Sequence, residues 1–490
     1  MGNCVLALDQ GTTSSRAIVF DADATIVSVF QQEFAQIYPA PAQVEHDPSA
    51  IWQSTLAVAR NALQAAERNG HRVVAIGITN QRETSLVWDR RNGKPIHNAI
   101  VWQDRRTAAT CSTLADAGHG ELVSARTGLL LDPYFSATKI GWLLDHVPGS
   151  RKRAETGELA FGTVDSFLLW KLTGGRRHLT DATNASRTCL FDIHSQQWDP
   201  DLLALFRIPD GLLPEVRDCA DEYGFTEPEL FGRAIPIRGM VGDQQGALLG
   251  QACFETGSIK STYGTGCFVV MNTGSMPAQS THRLLTTVAW RIDGKVNYAL
   301  EGSIFVAGAA VQWLRDGIGL LDNAEQSEAM ARSIDDTDGV YLVPAFTGLG
   351  APHWRADARG ILSGLTRATQ RAHIVRAALE ATAYQTSDLL SAMAEDGISP
   401  RSLRVDGGMV RNNWLLQFLA DIVDIPVDRP KVMETTALGA AYLAGRQSDL
   451  YGDFDSFAAL CRRDARFVPD MAQDRRNRLL DGWYRAIAQV

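Results

Sequence analysis

The segment LALDQGTTSSRAIVFD, residues 6–21, decides the fold because it joins two apolar, β-like runs through a short polar turn. The first run ends at Asp9, the second begins near Ala17, and Gly11 opens the turn between them. Two apolar runs separated by so few residues predict a β-hairpin. A further strand, predicted over residues 26–30, extends the hairpin into an N-terminal meander of three strands.

A similar segment, STYGTGCFVV, occupies residues 261–270 near the middle of the chain. It places Gly264 in a turn before a β run, in the way that Gly11 precedes the second strand of the first hairpin. Elsewhere, apolar runs alternate with stretches of helical period, which is typical of α/β architecture. The repeat therefore predicts two α/β domains of similar size, residues 1–252 and 253–490, the second ending in a helical cap.

Composition and charge exclude several classes of protein. The 490 residues are 45% hydrophobic and 21% charged, which is close to the globular average. A net charge of −9 argues against nucleic acid or an anionic membrane surface as the main partner. The sequence contains neither a long apolar run for membrane insertion nor a CxxC pair for a structural metal. We therefore expect a soluble cytoplasmic protein that does not bind nucleic acid or insert into membranes.

The turn of the first hairpin carries groups that can bind phosphate. Gly11 and the hydroxyl residues after it allow backbone N–H groups and short side chains to converge on phosphate oxygens. Arg16 adds a cation that matches phosphate geometry. Asp9 could hold Mg²⁺ through water, because hard cations prefer carboxylate and phosphate oxygens. An ordinary polar hairpin is the alternative interpretation of the same residues.

Two more glycine turns follow short apolar runs, one at residues 263–266 and one at residues 405–412. Both Gly-Lys pairs lack the neighbours of a Walker A loop, and no complete GxGxxG follows a strand. Three glycine turns in a chain without these motifs predict a nucleotide cleft that is built from facing β-turns.

Two polar clusters are candidates for substrate chemistry. Arg82 and Glu83 follow the strand predicted over residues 73–78, and together they offer the donors and acceptors that neighbouring polyol hydroxyls require. A surface ion pair is their alternative interpretation. Asp243 lies between glycines after an apolar run, where a carboxylate could take the proton of an attacking hydroxyl. A helix N-cap is the alternative for Asp243.

Three aromatic residues, Trp102, Tyr134 and Phe268, are candidates for the walls of such a site. They are close in sequence to the polar clusters. Aromatic residues at strand ends more often belong to a core than to a ligand site, so core packing is the alternative.

Seven motifs, in the same order along nearly the whole chain, resemble those of the FGGY carbohydrate-kinase family. They are LALDQGTTSSRAIVFD (6–21), GITNQRET (77–84), DPYFSATKIGWLLDH (132–146), GDQQGALLGQ (242–251), STYGTGCF (261–268), VPAFTGLGAPHW (343–354) and RVDGGMVRNNWLLQFLADI (404–422). GITNQRET together with WQDRRT points to the glycerol branch of the family. The resemblance implies two ribonuclease-H-like domains of the actin and Hsp70 type, which close around a cleft.

The resemblance also implies an activity, namely transfer of the γ-phosphoryl group of ATP to a terminal hydroxyl of glycerol, with Asp243 as the base and Asp9 helping to hold Mg²⁺. The implied glycerol contacts are Arg82, Glu83, Trp102, Tyr134, Asp243, Gln244 and Phe268. The implied ATP contacts are Thr12, Thr13, Ser14, Arg16, Thr265, Gly308, Gln312, Gly408 and Asn412. Members of the family form homodimers or homotetramers, so one of these states is expected.

Two other functions fit parts of the same pattern. One is an FGGY kinase for a ketopentose or another polyol, and the other is an actin- or Hsp70-like ATPase switch, which would not need the polar clusters at Arg82 and Asp243. The chain also departs from some family members at two regulatory segments. Residues 228–234 lack a glycine-rich inhibitor loop, and residues 469–475 lack the acidic pattern that binds a sugar-transport regulator. The resemblance therefore carries over neither control.

Overall fold

The computed structural model describes residues 2–355 and 357–490. Strands and helices alternate along the first half. Its strands are β1 (Gly2–Gln10), β2 (Ser14–Asp21), β3 (Ile26–Glu33), β4 (Glu45–His46), β5 (His71–Asn80), β6 (Leu86–Asp89), β7 (Ala99–Ile100), β8 (Leu159–Gly162), β9 (Leu179–Asp181), β10 (Phe191–Asp192), β11 (Gln197–Trp198), β12 (Glu215–Arg217), β13 (Ala220–Phe225) and β14 (Pro236–Gly242). Its helices are α1 (Pro48–Arg68), α2 (Ala108–Asp116), α3 (Gly120–Thr127), α4 (Ser136–His146), α5 (Ser150–Glu155), α6 (Val164–Leu172), α7 (Ala182–Ala185), α8 (Pro200–Phe206), α9 (Pro228–Phe231) and α10 (Asp243–Gly250).

The second half repeats the alternation. Its strands are β15 (Ile259–Tyr263), β16 (Cys267–Gly274), β17 (Leu285–Ile292), β18 (Lys295–Ile304), β19 (Tyr341–Val343), β20 (Ile361–Ser363), β21 (Leu403–Asp406), β22 (Val427–Pro430) and β23 (Arg463–Phe467). Its helices are α11 (Gly308–Gln312), α12 (Gln326–Arg332), α13 (Arg371–Glu395), α14 (Asn413–Val423), α15 (Thr435–Arg446), α16 (Phe454–Leu460) and α17 (Gln473–Ile487). Short 3₁₀ turns lie at Asp210–Leu212 and Gly408–Arg411, and a π-helical turn lies at Trp313–Gly317.

The first half is built on a six-stranded sheet with the order β13-β14-β5-β1-β2-β3. Strands β1, β2 and β3 form the predicted antiparallel meander, and β5 and β14 continue the sheet in parallel from β1. The side chains of Val5, Leu6, Ala7 and Leu8 on β1 are fully buried. Burying a Val or Leu side chain contributes about 1.5–3 kcal/mol, so this central strand anchors the core.

The second half is built on a seven-stranded sheet with the order β17-β18-β16-β15-β21-β22-β23. Its centre repeats the strand directions of the first sheet, because β15, β16 and β18 pair antiparallel in that order and β21 and β22 run parallel to β15. The turn at Gly264 therefore occupies the position that the turn at Gly11 has in the first sheet. This topology confirms the repeat that the sequence predicts.

The two halves meet through a pair of helices that cross at glycine residues. Helix α10 follows β14, and helix α15 from the second half packs both on α10 and on the first sheet. A Cβ at Gly250 would lie 1.9 Å from the carbonyl oxygen of Thr435, and one at Gly77 would lie 2.2 Å from that of Ala440. Only glycine permits so close an approach of backbones.

The C-terminal segment is less purely helical than the sequence predicts. Helices α16 and α17 form where the apolar residues predict them, but strand β23 lies between them and pairs antiparallel with β22 at the edge of the second sheet. The boundary near Ala252, which follows α10, stays a prediction. Among residues 2–355 and 357–490, no helix is long and apolar enough to cross a membrane.

Candidate active site

The first glycine turn, residues 11–14, is fixed by hydrogen bonds from side chains elsewhere in the first half. Its backbone closes through a hydrogen bond from Gly11 N–H to the Ser14 carbonyl oxygen at 2.9 Å. The Trp102 indole donates to Thr12 Oγ1 at 2.9 Å, and Gln36 Nε2 donates to the Thr12 carbonyl oxygen at 3.0 Å. Three of the predicted ATP contacts, Thr12, Thr13 and Ser14, thus lie on one braced turn, with Thr13 exposed at its tip and Ser14 buried.

Acidic groups surround Arg16 just behind this turn. The Arg16 guanidinium forms an ion pair with Glu434, at the N-cap of α15, and each of these side chains is about one-third exposed. Asp9 is buried, and burial raises its pKa to about 6, against the opposing effect of Arg16 and with further increases from Glu434 and Asp243. The pKa of Arg16 is raised in turn, chiefly by Asp9. No local pattern in the sequence marked Glu434.

The second turn packs against the start of α11. Gly308 N–H donates to the Gly264 carbonyl oxygen at 3.0 Å, and the N–H groups of Ala307 and Ala309 donate to the Thr265 carbonyl oxygen at 3.0 Å. A Cβ at Gly308 would lie 2.5 Å from Gly264 O. The predicted contacts Thr265 and Gly308 are therefore neighbours.

The third turn, which carries the predicted ATP contacts Gly408 and Asn412, lies beside the second. Gly407 has a φ of +93°, and a Cβ there would lie 2.4 Å from the Tyr263 carbonyl oxygen, so this turn touches the strand that leads into the second turn. Gly408 beside it is exposed, with no atom within 4 Å of a Cβ placed on it. Asn412 caps α14 through Leu415 N–H at 2.9 Å, and its buried Nδ2 has no hydrogen-bond partner among the described residues. Gln312 is exposed at the end of α11.

Arg82 and Glu83 lie in a strained turn directly after β5. Thr84 N–H donates to the Arg82 carbonyl oxygen at 2.7 Å, and Glu83 between them has a φ of +60°. A γ-turn with positive φ at a residue other than glycine is rare and strained. The hydroxyls of Ser85 and Ser136 hold it by donating to the Glu83 carbonyl oxygen at 2.9 and 3.1 Å. The side chains of Arg82 and Glu83 are each only 2% exposed, which excludes the alternative of a surface ion pair.

The Arg82 side chain reaches three other predicted or newly found site residues. Its Nη1 and Nη2 donate to the two carboxylate oxygens of Glu301 at 2.6 and 3.0 Å. Its Nε lies 3.1 Å from Asp243 Oδ1, and its Nη2 lies 3.5 Å from the Tyr134 hydroxyl. Arg82 therefore connects the candidate base, an aromatic wall and the second half of the chain.

Arg187 is a second, fully buried arginine of this cluster. Its Nε donates to Glu83 Oε1 at 2.6 Å and its Nη2 donates to Glu301 Oε1 at 2.9 Å. Burial raises the pKa of Glu83, only partly opposed by Arg82 and Arg187. Burial would also raise the pKa of Glu301, but Arg187 and Arg82 outweigh it and lower the pKa to about 2.

Sequence reasoning missed both Arg187 and Glu301. The available signal was Glu301 itself, a single acidic residue inside the apolar strand YALEGSI over residues 298–304. A charge in such a strand must find a buried partner. No local pattern marked Arg187.

The three predicted aromatic residues stand together beside Arg82. The Trp102 ring lies edge-on to Tyr134 at 5.7 Å between centroids and to Phe268 at 6.0 Å. Arg187 lies over the Tyr134 ring at 5.6 Å. All three are partly exposed, as the walls of a cleft are and a core is not. Because the Trp102 indole also donates to Thr12, one side chain contacts both a predicted glycerol contact, Tyr134, and a predicted ATP contact.

Asp243 is the first residue of α10, with Gly242 as the N-cap. Its side chain is 28% exposed, and Oδ1 accepts from Gln244 N–H at 2.7 Å. A carboxylate is favoured in the first turn of a helix by the helix dipole. The predicted contact Gln244 is buried, and its Oε1 accepts from Lys260 Nζ of β15 at 2.5 Å. Lys260, also missed in the sequence, is a second link between the two halves.

Comparison with known proteins identifies the family. The model of the FGGY family of carbohydrate kinases matches with its N-terminal domain at residues 4–250 and its C-terminal domain at residues 259–448. A glycerol kinase from Rhodospirillum centenum (strain ATCC 51521 / SW) is 69% identical over 487 residues, covering 99% of this chain and 98% of that protein. Glycerol kinase 1 from Pseudomonas aeruginosa is 62% identical over 490 residues, covering 100% of this chain and 99% of that protein.

Solved structures agree with the fold that the resemblance implies. The crystal structure of Plasmodium falciparum glycerol kinase with ADP superimposes with a TM-score of 0.93 at 37% identity, covering 100% of this chain and 98% of that one. A ligand-bound xylulose kinase from Lactobacillus acidophilus has a TM-score of 0.89 at 20% identity, covering 99% and 98%, and supports the fold alone. The fold prediction is confirmed, and the chain belongs to the FGGY family of carbohydrate kinases.

Proposed function

We propose that the protein phosphorylates glycerol with ATP and forms sn-glycerol 3-phosphate and ADP, the first step of glycerol catabolism. The observation that carries the proposal is the buried pair of Arg82 and Glu83. Arg82 lies within contact distance of the Asp243 carboxylate and of Tyr134, and the Tyr134 ring adjoins Trp102, which in turn adjoins Phe268. The glycerol kinases named above, at 62–69% identity over nearly the whole chain, support the same activity.

The polyol end suits a small substrate with adjacent hydroxyls. Arg82 offers donors and Glu83 offers acceptors, and their backbone is fixed by the strained turn, so two neighbouring hydroxyls meet both. Trp102, Tyr134 and Phe268 supply apolar surface for the carbon chain. Gln244 is proposed as a further polar contact from α10.

Asp243 is proposed as the general base. Its partly exposed carboxylate faces the cleft beside Arg82 Nε, so it can hold the proton of a terminal hydroxyl as the oxygen attacks phosphorus. Kinase catalysis consists mostly of positioning and electrostatic stabilisation. Arg82 and Glu83 orient the nucleophile, and the walls exclude water, the competing acceptor.

The turns at the other end are proposed to bind ATP. Backbone N–H groups and hydroxyls of the first and second turns would face the phosphates, while Gly308, Gln312, Gly408 and Asn412 would receive the nucleoside. The unpaired Nδ2 of Asn412 is a donor available to a ligand. The expected contact of Arg16 with phosphate would compete with its ion pair to Glu434.

The chain fits a Mg²⁺ ion that is held mainly by substrate and water. Among the described residues, no three His, Cys, Asp or Glu side chains converge as a metal site. Mg²⁺ is usually bound by one or two carboxylates, phosphates and waters, and buried Asp9 at the end of β1, with its raised pKa, is suited to accept from ion-bound water. When bound, Mg²⁺ would neutralise phosphate charge.

Three accompanying statements are also proposals. The two halves act as domains that divide near Ala252, the protein assembles as a homodimer or homotetramer, and it works in the cytoplasm. The family matches, which end at residue 250 and resume at residue 259, support the division.

A coupled assay of ADP formation, with and without glycerol, tests the proposed function. We expect ADP release to require glycerol and to yield glycerol phosphate. A preference of more than tenfold in kcat/KM for a ketopentose or erythritol would favour another FGGY activity. Slow ATP hydrolysis that no polyol stimulates would favour an ATPase switch.

A further inference from the structure

Glu301 is the residue by which the second half of the chain enters the polyol cluster. It lies on β18 and is fully buried. Its carboxylate accepts from both terminal nitrogens of Arg82, at 2.6 and 3.0 Å, and from Arg187 Nη2 at 2.9 Å. Both arginines belong to the first half, so one carboxylate ties together two cations across the junction of the halves.

These contacts decide which edge of the Arg82 guanidinium faces the cleft. Because Glu301 occupies Nη1 and Nη2, the Nε edge is left beside Asp243 Oδ1 at 3.1 Å. Arg82 Nε and Arg187 Nη1 are buried donors without a hydrogen-bond partner among the described residues. Buried donors in native proteins are normally paired, so these two are available to a hydroxyl or to water.

Separation of the halves would remove this carboxylate from both arginines. Breaking a buried ion pair by removing one partner is strongly unfavourable, because it leaves a charge without compensation. As carboxylate neighbours Arg82 would then keep Asp243 and the more distant Glu83, whose Oε1 is 3.9 Å from its Nε. Its other contacts, Gln245 and Tyr134, are neutral. The observed arrangement of the halves and the orientation of Arg82 therefore depend on the same contacts.

We infer that Glu301 is a positioning residue that couples polyol binding to closure of the two halves, acting through Arg82 and Arg187. The inference rests on the proposed function, since it concerns the polyol end of that site. The nucleotide-facing turns make no hydrogen bond to Glu301, so its removal weakens polyol binding and leaves nucleotide binding largely intact.

Steady-state kinetics of Glu301→Gln and Glu301→Asp test the inference. The Gln variant places a neutral amide between two guanidinium groups. We expect it to raise KM for glycerol at least tenfold and to change KM for ATP less than twofold. The Asp variant keeps the charge on a side chain that is shorter by one methylene, so we expect its KM for glycerol to lie between those of the wild type and the Gln variant. If the Gln variant does not fold, the Asp variant carries the same comparison.

Glu380→Gln is the matched control. Glu380 on α13 is equally buried and pairs with Arg376 Nε at 2.8 Å and with the Tyr384 hydroxyl at 2.9 Å, entirely within the second half. We expect this variant to lose thermal stability and to keep both KM values within twofold. A rise in glycerol KM equal to that of the Glu301 variants would overturn the inference, and so would equal rises in both KM values of Glu301→Gln.

A measurement without substrate separates this inference from the proposed function. Small-angle X-ray scattering of Glu301→Gln should give a larger radius of gyration than the wild type, because the halves lose their buried tie. An unchanged radius would overturn the inference even if glycerol is phosphorylated. A wild type that forms no glycerol-dependent ADP would instead overturn the proposed function.

Discussion

The two ends of the proposed site are built in opposite ways: the polyol end is the buried charge cluster proposed to bind glycerol, and the nucleotide end is the set of glycine turns proposed to bind ATP. At the polyol end, Arg82, Glu83, Arg187 and Glu301 are almost completely buried and pair with one another through their side chains. At the nucleotide end, the turns consist of glycine and short polar residues, several of them exposed, and backbone hydrogen bonds close the first turn and join the second turn to α11.

The difference teaches how each end discriminates. Buried, paired charges are rigid, and a substrate that leaves one unpaired loses much affinity. Backbone N–H groups in turns bind any phosphate of suitable geometry. We therefore expect the polyol end to determine substrate selectivity and the nucleotide end to tolerate small changes. Four variants can break or sharpen this contrast.

Asp243→Asn has the largest expected effect. It removes the proton acceptor and keeps the shape of the side chain, so we expect kcat to fall by about 10³-fold or more. ATP affinity, measured by calorimetry, should stay within a few-fold of the wild type, because the nucleotide turns are untouched. Retention of most of the activity would remove Asp243 from the role of base.

Arg82→Ala should be next in size. The substitution removes the hydrogen-bond donors that Arg82 offers to the substrate, and it leaves Arg187 as the cation shared by Glu301 and Glu83. We therefore expect kcat/KM for glycerol to fall by roughly 100-fold. Arg376→Ala, which breaks a buried pair within the second half, should lower stability and leave KM for glycerol near the wild-type value. An unchanged glycerol KM in Arg82→Ala would place the polyol site elsewhere.

The sequence predicted the glycine turns better than the buried charge cluster, because a turn depends on a local pattern. A glycine turn between two apolar runs is visible in a few residues, and the structure contains the predicted hairpins at Gly11 and Gly264. The repeat also predicted the two-sheet fold. The roles of Arg187 and Glu301 depend on contacts with residues about 100 to 220 positions away, which no local spacing encodes. Strand β23 was missed because five residues at a sheet edge carry little apolar pattern.

Gly408→Ala tests whether the exposed turn receives the nucleotide. A Cβ at Gly408 meets no protein atom within 4 Å, so the substitution should not strain the fold. If the nucleoside lies against this glycine, the added methyl should raise KM for ATP about three- to tenfold and leave KM for glycerol unchanged. Gly120→Ala is the control. A Cβ at Gly120 also meets no atom within 4 Å, but Gly120 lies at the start of α3 and not in a glycine turn of the proposed site. Equal ATP KM values in the two variants would place the nucleoside elsewhere.

Substitution of His46 has the smallest expected effect, a change in how stability depends on pH. His46 contacts the two glutamines that hold the first turn. Its Nε2 lies 2.6 Å from Gln36 Oε1, and Gln81 Nε2 donates to its Nδ1 at 3.3 Å, which suits the neutral ring. Burial lowers the pKa of His46 from 6.5 to about 4. The unfolded chain therefore binds the proton more tightly. The stability from neutral His46 is present above about pH 6.5 and is lost as the pH falls towards 4.

Thermal unfolding of the wild type and of His46→Gln at pH 7 and pH 5 measures this contribution. At pH 5, protonation of His46 in the unfolded chain lowers the free energy of unfolding by about 2 kcal/mol. Between pH 7 and pH 5 the unfolding temperature of the wild type should therefore fall a few degrees further than that of the variant. His146→Gln, at an exposed position on α4, should follow the wild type. Because Gln36 and Gln81 also hold the carbonyl oxygens of Thr12 and Gly11, the same protonation should loosen the first turn. Parallel pH profiles for wild type and His46→Gln would show that His46 does not brace the nucleotide-facing end.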